Sequence, residues 1–150
     1  MEMEFIASID KLIGRDLNKL EEEIKLFKSE EAVWVIDKEI KNSAGNLCLH
    51  LCGNLQQYIG AILGKTGYVR NRENEFAAKG ISRAILIAEI KQTKKAVKST
   101  LQGLNSSVLE EEYSIQVFGH PMTLLYDKIS FRHDMGKTSR FWPHDKVATR

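Results

Sequence analysis

The stretch Ser43 to Gly64, SAGNLCLHLCGNLQQYIGAILG, constrains the fold more than any other part of the chain. Wound as a helix at about 100° per residue, it gathers Asn46, His50, Asn54 and Gln57 into an arc of roughly 80°. Leu47, Cys48, Leu51, Cys52, Leu55, Ile59 and Ile62 cover the opposite side. A helix with so little polar surface is buried on most sides. Its polar stripe must then meet water in a cleft, another polar residue or a metal, because an unpaired buried polar group is costly. His50 is the residue in that stripe with the widest chemistry.

A helix of this kind needs partners, and the rest of the sequence supplies them. Phe5, Ile6, Ile9, Leu12, Ile13, Leu17, Leu20, Ile24 and Phe27 recur at three- and four-residue steps and predict an amphipathic helix over 4–27, with Glu21, Glu22 and Glu23 facing solvent. Ala32 to Ile36, AVWVI, is too short to assign by period: Trp34 either closes the space between the first two helices or begins a short strand. Ser43 is the expected N-cap of the second helix, and Gly64 with Gly67 its end. Lys65 to Lys79 reads as a long connection with five charges between Arg70 and Lys79, the kind of loop that often carries function. The third helix runs from Ser82 to Gln102, with Ile85, Leu86, Ala88, Ile90, Thr93, Val97 and Leu101 inward and Lys91, Lys94, Lys95 and Lys98 as a solvated face. Residues 103–119 are irregular, with a strand or hairpin fragment at Tyr113 to Phe118. Pro121 suits the first turn of a fourth helix after Gly119, whose apolar side is Met122, Leu124, Leu125, Tyr126 and Ile129.

Four helices with one long crossover predict a single all-α domain, a four-helix bundle, over residues 1–150. Lys128 to Arg150 forms an irregular tail: it holds six Lys/Arg against two Asp, and His133, Phe141, Trp142, Pro143 and His144 follow no helical period.

Charge and cysteine usage narrow the function. Twenty-two basic residues against 20 acidic ones leave a net charge of +2, so nucleic acid is not an expected partner. Cys48 and Cys52, one helical turn apart, present poor disulfide geometry, and reduced thiols fit a cytoplasmic protein. The N-terminus is acidic at once, unlike a signal peptide, and no apolar run is long enough to span a bilayer, so no membrane partner is expected.

Two sites mimic a phosphate-binding loop, Gly64-Lys65-Thr66 and Gly136-Lys137-Thr138. The motif needs an earlier glycine, where Ile59 and Phe131 stand, and a strand before the loop, whereas Gly64 ends a helix. Nucleophilic catalysis has no Gly-x-Ser-x-Gly elbow and no cation close to either thiol in sequence. Two readings of His50 stay open: a metal ligand oriented by Asn46 or Asn54, or a core histidine bonded to a neighbouring carbonyl.

The run Asn42 to Gly80 resembles the DinB superfamily, in particular its YfiT-like branch. The matching features are the Asn-Ser opening at Asn42, His-Leu-x-Gly-Asn-Leu at His50 to Leu55, Ile59-Gly60, and Thr-Gly-Tyr-Val-Arg-x-Arg-x-x-Glu-Phe at Thr66 to Phe76. The resemblance implies a four-helix bundle, often a homodimer, with a divalent metal (zinc or nickel) on three histidines, one matching His50. The other two belong to a His-x-x-x-His-x-Gly-Gln pattern in the fourth helix. Some relatives transfer low-molecular-weight thiols, others are regarded as metal-dependent hydrolases and most have no known substrate; a small-molecule substrate is the expectation for this chain. Here Gly136-Lys137 replaces Gly-Gln, so Ser130 and Asp134 fall on the histidine positions and His133 is one residue out of register. The expected ligands are therefore His50, His133 and Asp134, an incomplete three-histidine site. Three readings of the tail stay open, a disordered segment, one docked on the bundle, or a C-terminus altered by a frameshift or decay, and the alternative function is a non-catalytic dimerisation or binding module without metal.

Overall fold

A computed structural model describes residues 2–36 and 41–104. The expected strand at Tyr113 to Phe118, the fourth helix after Gly119, the tail from Lys128, and His133 and Asp134 lie outside the described residues. Among the described residues every regular element is helical: α1 (Glu2–Leu26), a 3-10 turn (Glu31–Trp34), α2 (Ala44–Leu55) running on as a π-helical stretch (Gln56–Ala61), α3 (Arg72–Ala77) and α4 (Arg83–Gln102).

The periodicities explain the packing. Ile6, Ile9, Ile13, Leu17, Leu20 and Ile24 make the buried stripe of α1, and Leu86, Ile90, Val97 and Leu101 that of α4. Each such side chain contributes about 1.5–3 kcal/mol when fully buried. The two helices run antiparallel, since Lys94 reaches Asn18, Lys91 approaches Glu21, and Arg83 donates to the Phe27 carbonyl. Cys48, Leu51, Cys52, Leu55 and Ile59 bring α2 into the same core, packed against α4.

Several expectations change. Phe5 is 36% exposed, near the start of α1. Glu23 faces inward, only 6% exposed, because it follows Leu20 by three residues on the buried stripe. Ile85, 59% exposed, and Ala88 point outward, since Leu86 and Ile90 set the inward face of α4, and one or two positions along the helix turn a side chain by about 100° or 200° from it. A 3-10 turn over Glu31–Trp34 stands where a short strand was one reading of Ala32 to Ile36, and Trp34 packs beside α2: its ring lies against Gly45, and Nε1 donates to the Ile81 carbonyl at 3.0 Å.

Capping residues fix both ends of the site's scaffold. Ser43 Oγ accepts from Asn46 N at 3.1 Å and starts α2; Ser82 Oγ accepts from Ile85 N at 3.3 Å and starts α4. Helical backbone continues to Ala61 through i to i+5 bonds, among them Ile62 N to Gln57 O at 3.1 Å. Gln56, buried there, donates to Glu89 Oε1 and Thr93 Oγ1 on α4 at 2.7 and 3.0 Å. Gly67, at φ +79°, then turns the chain.

Glu30 adds a second cap to α4: its Oε2 accepts from Arg83 N at 2.7 Å and its Oε1 from Arg83 Nε at 3.1 Å. These bonds hold its pKa below the ordinary 4.5. A carboxyl lowered in the fold stabilises above its unfolded pKa, and that contribution fades as pH falls from 4.5 through the lowered value. Urea midpoints recorded below pH 4.5 should therefore fall less steeply for Glu30→Gln than for the wild type; parallel curves would contradict the cap.

Candidate functional site

The connection between α2 and α4 is not a bare loop. Asn71 Oδ1 accepts from Asn74 N at 3.0 Å and starts the short helix α3, which lies across α2. Asn46 secures it: Nδ2 donates to the carbonyls of Glu75 and Ala78, both at 2.9 Å, while Oδ1 accepts from Ser43 Oγ at 2.5 Å. Asn46 thus anchors the far wall of the site and does not orient His50.

Glu75 turns inward from α3 and is 5% exposed. Its carboxylate occupies the space that a side chain at position 53 would fill, since a Cβ on Gly53 would lie 2.7 Å from Glu75 Cδ. Arg70 neutralises it in a two-pronged pair, Nη2 donating to Oε1 at 2.7 Å and Nε to Oε2 at 2.8 Å. The side chains are 12% and 7% exposed, so the pair is shielded from water. Arg70 Cζ also lies 5.9 Å from the centre of the Tyr58 ring.

His50 meets this pair from α2. Its Nδ1 lies 3.2 Å from Glu75 Oε1 and 3.3 Å from Arg70 Nη2, and its Nε2 lies 3.3 Å from Asn54 Nδ2. A proton on Nδ1 satisfies both flanks: Nδ1 donates to the carboxylate and Nε2 accepts from the amide. The Phe76 ring covers one side, with centroids 4.9 Å apart. Burial lowers the His50 pKa below 6.5, outweighing the opposing pull of Glu75, while Arg70 and Arg72 lower it further. The ring is accordingly neutral at pH 7. Protonating it as pH falls below 6.5 costs stability, because the unfolded chain takes the proton more readily.

The histidine therefore faces a carboxylate and an amide rather than a carbonyl. Asn54 touches it as the stripe predicts, one helical turn away. Arg70 and Glu75 escape any helical pattern, because they come from a different segment; the only signal for them is the charge-rich stretch Arg70 to Lys79. Cys48 and Cys52 point into the core as free thiols, and the bond to Cys52 together with burial pushes the Cys48 thiol well above 9.0. Cys48 is therefore not an activated nucleophile.

Among the described residues no three His, Cys, Asp or Glu side chains form a group that could hold a metal ion. His50 Nε2 is a suitable single donor, with the carboxylate behind Nδ1 typical of metal-bound imidazoles, but Glu75 is committed to Arg70. The described residues alone do not fit a metal ion. No described helix is long and apolar enough to cross a membrane.

No curated protein and no solved structure matches the chain. A family model described as "Protein of unknown function (DUF1572)" matches residues 2–129, a span that contains all of α1 to α4 and the His50, Arg70 and Glu75 group, and ends before His133 and Asp134. The chain belongs to that family of proteins of unknown function.

Proposed function

We propose that the chain is a DinB-like four-helix bundle whose working group is His50, acting as a metal-dependent hydrolase or thiol transferase with an incomplete metal site. The observation that supports this most is the bond between His50 Nδ1 and the buried Glu75 carboxylate, which fixes the imidazole and leaves its basic nitrogen, Nε2, on the side of Asn54. Held neutral, Nε2 keeps a lone pair that can be offered to a metal ion, and Glu75 beside Nδ1 strengthens it as a donor. Phe76 limits water on one side of the ring. A zinc or nickel ion, if His133 and Asp134 complete its sphere, would supply an acidified water or thiol. The same reading makes the protein a cytoplasmic homodimer acting on a small molecule.

A second reading is favoured by Arg70. It engages both Glu75 oxygens, so the carboxylate is less able to strengthen His50 as a metal donor, and the trio then serves as a latch between α2 and α3 in a non-catalytic dimerisation or binding module. Metal content of protein purified without an affinity tag separates the two. Stoichiometric zinc or nickel in the wild type, lost in His50→Ala, is the result expected for the enzyme; no metal in the wild type, with a lowered melting temperature in the variant, selects the latch.

A further inference from the structure

Arg70 and Arg72 stand two residues apart and have opposite surroundings. Arg70 spends its guanidinium on Glu75. Arg72 is exposed, and among the described residues no carboxylate lies within ion-pair distance of it. The cause is local. Asn71 is the N-cap, so Arg72 is the first residue of α3 and lies one turn before Phe76, over whose ring its Cζ sits at 5.6 Å from the centroid. Glu73 follows about 100° further round the helix and does not pair with it.

Phe76 joins this cation to the site, because the same ring packs against His50, tilted by 40° with centroids 4.9 Å apart. The charges around the imidazole then do not cancel. Arg70 and Glu75 neutralise one another and the ring is uncharged, which leaves Arg72 as the unmatched charge of the group. A guanidinium fork matches two oxygens of a carboxylate or phosphate, and its stacking on a ring reduces the freedom lost when it binds.

We infer that Arg72 is the anion anchor of the His50 site, and that the molecule taken there carries a carboxylate or phosphate beside the group that meets His50 Nε2. This rests on His50 being the functional centre. The exposed part of Phe76 would lie beside the body of the ligand and Asn54 would offer an amide, so recognition combines one oxyanion, one apolar contact and one polar contact. Because Arg72 is in water, binding of a bare oxyanion weakens as salt rises.

Malonate and methyl phosphate are suitable probes, with malonamide as the uncharged control, titrated into the full chain at low salt and followed through the His50 ring resonances. A saturable shift is expected with malonate, methyl phosphate or both, and none with malonamide. Malonate alone would mark a carboxylate ligand, methyl phosphate alone a phosphate. Arg72→Gln should weaken the response at least tenfold with the melting temperature and metal content unchanged, and Arg72→Lys should recover part of it. A wild type without a saturable shift, or an Arg72→Gln variant that binds as the wild type does, overturns the assignment. The assay needs no metal, so a failed titration beside metal lost in His50→Ala removes the anchor and leaves the proposed enzyme standing.

Discussion

Glu75→Ala is expected to lower the free energy of unfolding by about 3 kcal/mol, because it leaves the Arg70 guanidinium without its carboxylate in a poorly hydrated place. That is the low end of the range for a broken buried pair, since Arg70 retains some contact with water. Replacing both partners should hurt less than replacing one: Arg70→Met with Glu75→Leu removes the charges together and is expected to recover most of the loss. Urea denaturation of the two single variants and the double variant tests this, and a double variant as unstable as the sum of the singles would show that the pair is not coupled.

The same variants should move His50 in opposite directions. Glu75 favours the imidazolium and Arg70 opposes it. Without Glu75 the His50 pKa should therefore fall further below 6.5, and without Arg70 it should rise. Ring-proton titrations by NMR, assigned against a His50→Gln spectrum, read both shifts. Equal values in all three proteins would mean that the carboxylate and the guanidinium do not act on the ring.

Gly53→Ala should destabilise by about 2 kcal/mol, although alanine is the better helix former by about 1 kcal/mol. The new Cβ would collide with the Glu75 carboxylate, which cannot move aside without leaving Arg70 and His50. Gly14 in α1 provides the opposite case. A Cβ there meets nothing within 4 Å, so Gly14→Ala should stabilise by roughly 0.5–1 kcal/mol through propensity alone. Thermal and urea unfolding of the two variants gives the comparison; the same sign at both positions would show that close approach to Glu75 does not decide the outcome.

Much of the scaffold is legible from local pattern. The stripes of α1 and α4 and the caps at Ser43 and Ser82 follow from spacing, because a helix buries a face set by its own period and a cap acts within one turn. Errors arise where residues sit at the edge of a stripe. Ile85 is apolar and exposed, Glu23 is charged and buried, and hydrophobicity alone misplaces both. Ala32 to Ile36 has too few residues to show a period, and the contact of Trp34 with Gly45 and Ile81 determines its role.

By itself the sequence determined that α2 is buried, that His50 lies on its polar side, and that Asn54 is its neighbour, since each of these is a relation within one helix. Only the tertiary structure decided what His50 faces. Glu75 and Arg70 come from a segment 25 and 20 residues further along, and no helical period links it to α2. Their arrival depends on the turn at Gly67, the cap at Asn71, the Asn46 bonds that lay α3 across α2, and the missing side chain at Gly53. The cap at Asn71 falls between Arg70 and Arg72 and starts α3 there, putting one charge inside and one outside. Such placement is a property of how segments meet in space, which a one-dimensional pattern does not encode.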